Sequence, residues 1–242
     1  MIKIGYEIER LLKFALKREM ISKWDVIPTR NALMDLLKVE APFEGEVGEE
    51  LEESAVKILN NILDYASEAG LIEENSTTFR DLFDAKIMGL LMPREGEVVK
   101  TFYDKYENES KERATDWFYD LSKASNYIMT ERIAKNLWWP ATTEYGDLEI
   151  TVNLSKPEKD PKEIAKAKLM KQATYPKCLL CKENVGYVGR INHPARQNHR
   201  IIPMKLTNKE WFLQYSPYVY YNEHCIVFSG EHEPMKLTRN SI

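Results

Sequence analysis

The sequence predicts an α+β protein, with a helical N-terminal half followed by a smaller region that mixes strands and helix. Apolar residues recur at helical spacing through the first half of the chain. The pattern changes at Trp138-Trp139-Pro140 and becomes a strict alternation at 148–154. We therefore divide the chain into a helical region at 1–136 and an α+β region at 137–242.

Six helices are predicted in the first region. Their apolar stripes fall at 4–15, 33–37, 51–66, 82–87, 98–106 and 117–133. Pro28 precedes the second helix, Gly70 is well placed to end the third, and Pro93 breaks the fourth. Ser76, followed by two threonines, offers an N-cap for the fourth helix. These stripes are interpreted as core, without a catalytic role.

The second region is predicted to begin with a half-buried strand, because Leu148, Ile150, Val152 and Leu154 alternate with polar residues. Asp160 can cap a following helix and Pro161 suits its first turn. That helix should run to about Gln172. Short strands are predicted around 200–202, 219–221 and 225–228.

Composition is that of an ordinary soluble globular protein, with 43% hydrophobic and 30% charged residues. No run of 18 apolar residues occurs, so we expect no membrane span. The N-terminus has no signal-peptide pattern, and three cysteines do not make a disulfide framework. A cytoplasmic location with reduced thiols is predicted.

Charge is spread unevenly along a chain whose net charge is -4. Residues 40–74 contain eleven acids and one base, whereas 177–205 contain six Lys or Arg and one acid. The acidic segment argues against a nucleic-acid surface on the first half, and the basic stretch is too short for duplex binding. A small phosphorylated ligand suits the basic stretch better.

Cys178 and Cys181 form a Cys-x-x-Cys pair, which can bind one tetrahedral metal ion from a turn. Ordinary buried thiols and a redox pair are the alternatives. A closed metal site needs two more ligands, for which the candidates are Cys225, His193, His199, His224 and His232. His232 is favoured because it follows an apolar strand, whereas His193 and His199 are interpreted as residues of a solvated loop.

Arg190, Arg196 and Arg200 are candidate phosphate ligands, because a guanidinium group can hold two phosphate oxygens at once. Gly186 and Gly189 would let the backbone approach a ligand closely. The alternative is a basic surface loop that pairs with the acidic helices. No Gly-rich phosphate loop and no serine nucleophile elbow occurs in the sequence.

Four segments resemble the class II bacterial galactose-1-phosphate uridylyltransferases (UDP-glucose–hexose-1-phosphate uridylyltransferases), and the likeness extends over the helical half. The segments are VNLSKPEKDP at 152–161, YPKCLLCKEN at 175–184, NHPARQNHR at 192–200 and QYSPY to YNEHCIV between 214 and 227. The resemblance implies uridylyl transfer between UDP-glucose and galactose 1-phosphate. It also implies that the second region begins a histidine-triad-like antiparallel sheet domain.

The nucleophile of that family is a histidine in a His-x-His motif, which forms a uridylyl-histidine intermediate in ping-pong kinetics. No His-x-His motif occurs in residues 1–242, and none of the four histidines matches it. No catalytic residue is therefore assigned. The chain resembles the N-terminal portion of the family and is expected to be inactive alone.

A looser similarity to the class I enzymes implies metal ligands. The segment CLLCKEN at 178–184 is similar to their Cys-x-x-Cys-Pro-Gly-Asn, and IVFSGEH at 226–232 is similar to a strand that ends in a histidine ligand. Cys178, Cys181 and His232 would then be three of four ligands, for zinc. The resemblance also implies that nucleotide phosphates lie near Arg190, Asn192, Arg196, Asn198 and Arg200.

Two further hypotheses remain open. The chain could be a non-catalytic nucleotide-sugar-binding or regulatory module, or a zinc-stabilised module with no nucleotide role. A homodimer, or a partner chain carrying a C-terminal half, is also considered.

Overall fold

A computed structural model describes residues 3–48, 54–156, 161–170, 174–206, 208–219 and 221–233. Its helices are α1 (Ile4–Lys17), α2 (Val26–Leu37), α3 (Val56–Glu68), α4 (Thr77–Gly89), α5 (Glu95–Asn108), α6 (Lys111–Ala124), α7 (Thr130–Ile133) and α8 (Pro161–Leu169). Its strands are β1 (Leu137–Thr143), β2 (Gly146–Val152), β3 (Ile202–Leu206), β4 (Lys209–Tyr215) and β5 (Cys225–Ser229). The predicted α+β class is confirmed, and no described helix is long and apolar enough to cross a membrane.

The predicted stripes of α1 to α6 converge on one core. Leu11, Ile62 and Ile87 are completely buried there and come from three different helices. Gly70 ends α3 as predicted, since its φ of 70° is in the left-handed region that other residues avoid. Leu51 lies outside the described residues.

Two helix boundaries differ from the predictions. Pro28 lies within the first turn of α2 instead of before it, because the first N–H groups of a helix need no intrahelical acceptor. The last predicted helix ends early, at Ala124, because Asn126 adopts a left-handed φ of 53°. Ile128 lies beyond that turn, and Ile133 belongs to the separate short helix α7.

The alternating segment forms β2, but the predicted half-burial is wrong for the described part of the chain. Leu148, Ile150 and Val152 are 55%, 37% and 38% exposed. Among the described residues β2 pairs only with β1, a strand that was not predicted, in a two-stranded antiparallel hairpin. Leu154 follows the strand and is also exposed.

A three-stranded antiparallel sheet follows, in the order β3-β4-β5. The strand predicted at 225–228 is confirmed as β5, while only Ile202 of 200–202 belongs to a strand, and β4 was missed. Val219 and Tyr221 are not in a strand, and Tyr220 lies outside the described residues. α8 is confirmed, although its predicted cap Asp160 and predicted end Gln172 are also outside them.

The three-stranded sheet packs against the helices, while Ile201, Phe212 and Phe228 form a small separate buried cluster. Ile202, Leu213 and Tyr215 belong to the same buried cluster as the helical stripes. The Tyr215 hydroxyl donates to the carbonyl of Thr115 at 3.1 Å, and the Tyr103 hydroxyl donates to that of Pro203. The division at 136 and 137 stays a prediction, but α5 and α6 carry the sheet on which the candidate site rests.

Candidate functional site

Cys178, Cys181 and His232 come together as a group that could hold a metal ion. Their ligand atoms all lie within 4.8 Å of one another, with 3.5 Å between the two Sγ atoms and 3.1 Å from Cys181 Sγ to His232 Nδ1. These separations suit a tetrahedral ion with metal–sulfur bonds of about 2.3 Å. Burial, and then the contact with Cys178, raise the pKa of the Cys181 thiol, which favours the neutral form. A bound cation would act in the opposite direction, because it binds the thiolate.

Asn184 holds the Cys-x-x-Cys turn in place, a role that the sequence analysis missed. Its side-chain amide donates to the carbonyl oxygens of Cys178 and Cys181 at 2.8 and 2.7 Å. Its Oδ1 therefore accepts from His193 Nε2, 2.6 Å away. Asn184 is 2% exposed, so these bonds are shielded from water. The only signal in the sequence was its place in the quoted CLLCKEN segment.

His193 is buried, which corrects the prediction that it lies in a solvated loop. Burial, together with the charges of Arg190 and Arg196, lowers the pKa of His193 and favours the neutral ring. The backbones of Arg190 and His193 exchange hydrogen bonds of 2.8 and 3.0 Å. His193 therefore joins the turn from Cys178 to Cys181, which we call the metal turn, to the loop from Arg190 to Arg196, which we call the arginine loop.

Arg190 and Arg196 remain available for an anion. Arg190 Nε donates to Asn192 Oδ1 at 2.6 Å, and its Nη1 donates to the Tyr187 hydroxyl at 3.1 Å. The Arg196 guanidinium lies 5.4 Å from the centre of the Tyr127 ring. Within the described residues neither arginine forms an ion pair with a carboxylate, so the pairing of these two with the acidic helices is not observed.

Asn198 and Arg200 point instead into the contact between the helices and the sheet. Asn198 Nδ2 donates to the carbonyl of Ser125 at 2.9 Å, and Ser125 Oγ donates back to the carbonyl of Asn198. Arg200 donates to three carbonyls, those of Pro93, Gln197 and His199, and its Nε lies 3.7 Å from Glu95 Oε2. The five predicted phosphate ligands therefore divide into an available group and a group engaged in packing.

His199 is also buried, contrary to the loop prediction. Its ring stacks on Tyr127 at 4.4 Å between centres, and its Nε2 lies 3.0 Å from Gln214 Oε1. Burial, and then Arg196, lower its pKa well below the ordinary value, so the ring is neutral and donates to Gln214. His199 therefore acts in packing.

Asp84 is a buried acid that the sequence pattern did not distinguish from its neighbours. Its Oδ2 accepts from Asn126 Nδ2 at 2.7 Å. Burial, and then the nearby Asp81, raise the pKa of Asp84 to about 7. The ion pair between Asp81 and Arg132 lies beside it, but desolvation outweighs the attraction of that cation.

A cleft of about 800 Å³ opens between α2, α4 and the start of α5. Arg200 and Gln197 line it together with Lys86 and Arg94. Cys178, Cys181, Arg190 and Arg196 do not line it. Val185 and Gly186 also line it, and the Gly186 N–H donates to the carbonyl of Arg196 at 2.9 Å, so the cleft adjoins the metal turn and the arginine loop.

Comparison with known families decides where the chain belongs. Residues 20–234 match the family described as galactose-1-phosphate uridyl transferase, N-terminal domain. The chain belongs to this family. The match includes the metal turn, the arginine loop and the helices α2 to α8.

Curated relatives named galactose-1-phosphate uridylyltransferase extend the similarity to nearly the whole chain. The protein of Caldanaerobacter subterraneus is 61% identical over 98% of this chain and 46% of its own length. That of Halalkalibacterium halodurans is 55% identical over 97% and 46%, and that of Butyrivibrio fibrisolvens is 52% identical over 96% and 59%. The chain spans about half the length of the curated relatives that it matches. No solved structure matches it significantly.

Within this uridyl transferase domain, removal of the Asn184 amide should loosen the metal turn. In Asn184→Ala the carbonyls of both cysteines and the His193 ring lose their partner. We expect metal affinity to fall about tenfold or more, as for other residues that orient ligands. The measurement is Co²⁺ absorption under competition with a chelator. Asn192→Ala is the matched control, because Asn192 bonds to Arg190 and not to the turn. An unchanged affinity in Asn184→Ala would contradict the role.

The buried Asp84 should make stability depend on pH. Its pKa is about 7 in the folded protein and 3.8 in the reference state, so the folded protein binds more protons between these values. Stability is therefore lost as pH rises through this window, by up to about 4 kcal/mol. Asp84→Asn should remove this loss and be more stable than the parent at pH 8, as measured by urea unfolding. Asp35→Asn, whose parent side chain is 85% exposed, is the control and should behave like the parent.

Proposed function

We propose that this chain supplies part of the nucleotide site of a uridylyltransferase that acts on UDP-glucose and galactose 1-phosphate. The observation that carries the proposal is the family match over 20–234, because it includes every candidate ligand in the metal turn and arginine loop. The names of the relatives support the reaction. A cytoplasmic location remains a prediction from the sequence.

The arginine loop suits a diphosphate. Arg190 and Arg196 carry donors that are not paired with carboxylates among the described residues, and Asn192 fixes the direction of the Arg190 guanidinium. Such groups would stabilise negative charge on the transferred phosphoryl group. Asn198 and Arg200 follow this loop in the sequence and hold it against the helical region, because their side chains donate to the carbonyls of Ser125 and Pro93.

Zinc is the metal that we propose for the Cys178, Cys181 and His232 group, since two thiolates and an imidazole are ligands typical of structural zinc. The group has three members within the described residues. When bound, the ion would tie the end of β5 to the Cys-x-x-Cys turn and so fix the arginine loop through Asn184. This role is structural and supplies no step of the transfer.

Binding of UDP-glucose tests the phosphate assignment. Loss of one charge-assisted contact should weaken binding about tenfold in Arg190→Ala and in Arg196→Ala. Titration calorimetry measures the affinity. Arg113→Ala is the matched control, because this arginine lies on α6 with 71% of its side chain exposed. Equal affinity in all four proteins would contradict the assignment. Metal binding without affinity for UDP-glucose would favour the zinc-stabilised module instead.

Transfer by residues 1–242 alone is expected to be absent. His193 and His199 are buried in hydrogen bonds to Asn184 and Gln214, and His232 belongs to the metal group. The sequence contains no His-x-His motif. A radioactive assay with UDP-glucose and galactose 1-phosphate should show no turnover. Turnover would contradict this expectation.

A further inference from the structure

The cleft between α2, α4 and the start of α5 is not used by the proposed function. Its volume of about 800 Å³ lies within the range of roughly 300–1,000 Å³ that is typical of small-molecule sites. The two arginines proposed to bind the diphosphate do not line it, and neither do the three candidate metal ligands. The cleft is therefore a candidate site for a different ligand.

Two side-chain oxygens at the wall of the cleft are buried without a hydrogen-bond partner among the described residues. They are Oε2 of Glu95 and Oε1 of Gln197. Glu95 Oε1 accepts from the backbone N–H of Ile201 at 3.1 Å, whereas Oε2 lies 3.7 Å from Arg200 Nε, beyond hydrogen-bonding distance. A buried acceptor without a donor costs free energy, so a ligand that carries hydroxyl groups is favoured here.

Backbone contacts hold both of these side chains at the cleft. Gly89, at the end of α4, lies so close to Gln197 that a Cβ added at Gly89 would be 2.7 Å from Gln197 Cβ. Arg200 donates to the carbonyl of Gln197 and to that of Pro93, which is two residues before Glu95. The terminal torsions of Glu95 and Gln197 are soft, so either side chain can turn an oxygen towards a ligand while its backbone stays in place.

The charges around the cleft favour an anionic group on the ligand. Lys86 and Arg94 line the cleft, are exposed, and form no ion pair with a carboxylate in the part of the chain that the structure describes. The remaining cations of the lining, Lys38 and Arg200, each lie beside a carboxylate of the same lining. Two uncompensated cations at one cleft suit a phosphate group.

We propose that the cleft binds a small sugar phosphate, at a site separate from the one that the arginine loop offers to UDP-glucose. The sugar hydroxyls donate to Glu95 and Gln197, and the phosphate lies against Lys86 and Arg94. Phe83 adds an aromatic ring to the lining, which the C–H face of a sugar ring can cover. Inorganic phosphate leaves both buried acceptors unpaired, and a neutral sugar leaves both cations uncompensated, so neither fits the cleft as well.

Titration calorimetry of residues 1–242 with glucose 6-phosphate and with fructose 6-phosphate tests the proposal. Neither compound is a reactant of the proposed transfer. We expect at least one of them to bind about tenfold or more tightly than glucose or inorganic phosphate, because only a sugar phosphate meets both the acceptors and the cations. Because the cleft adjoins the arginine loop, the titration is repeated with saturating UDP-glucose, and the sugar phosphate should still bind.

Variants of the lining locate the site. Gln197→Leu removes one buried acceptor and Lys86→Gln removes one cation, and each should weaken binding of the sugar phosphate about tenfold. Lys100→Gln is the matched control, because Lys100 is an exposed lysine of α5 that does not line the cleft. Arg190→Ala should bind the sugar phosphate like the parent. Circular dichroism shows whether each variant is folded.

Three results would overturn the proposal. Both sugar phosphates could bind no more tightly than inorganic phosphate. UDP-glucose could displace the sugar phosphate, or Arg190→Ala could lose it, either of which would place the ligand in the arginine loop. Gln197→Leu and Lys86→Gln could both bind like the parent, which would place the ligand elsewhere. The affinity of Arg190→Ala for UDP-glucose is measured separately, so failure of the proposed function is distinguishable from failure of the cleft site.

Discussion

The candidate site depends on the side chain of one buried asparagine. Asn184 has two amide hydrogens and one carbonyl oxygen, and all of them are used, on Cys178, Cys181 and His193. A buried amide with its partners satisfied has one stable orientation, because every alternative leaves a donor or acceptor unpaired. The metal turn and the arginine loop are therefore positioned as a unit. The Cys-x-x-Cys spacing alone would have left that turn free to point elsewhere.

The basic stretch shows why charge in a sequence does not translate directly into a binding surface. Arg190 and Arg200 are ten residues apart and looked equivalent. Arg200 is largely buried, and burial lowers its pKa, but its donors satisfy three backbone carbonyls. Within the described part of the chain, Arg190 contacts only the neutral groups of Asn192, Tyr175 and Tyr187, so its charge remains available to an anion. The difference arises from tertiary contacts with Pro93 and Glu95, about a hundred residues earlier.

Periodicity predicted the helices well because each stripe meets the same core, and Gly70 ended α3 through local geometry that a sequence reveals. Periodicity failed at the end of α6, where Asn126 adopts a left-handed conformation and contacts Asp84, 42 residues away. Alternation predicted β2, but not β1, whose Trp-Trp-Pro sequence has no alternation. The cysteines and His232 were brought together by resemblance, whereas Asn184 and the buried histidines needed the fold. Local sequence patterns therefore do not predict contacts between side chains that are distant in the sequence.

The helical region also positions the arginine loop. Asp84 holds Asn126 in the turn that ends α6, and this turn places Tyr127 in the buried interior. Tyr127 then stacks on His199 with one contact and supports the Arg196 guanidinium with another. Burial raises the pKa of Tyr127 to about 12, so its ring stays neutral and can support a cation without an ion pair. An aromatic ring fixes the guanidinium while leaving its charge uncompensated, which a carboxylate could not do. The contact chain from Asp84 to Arg196 therefore gives the helices a part in positioning the arginine loop, although none of their own cations lies in that loop.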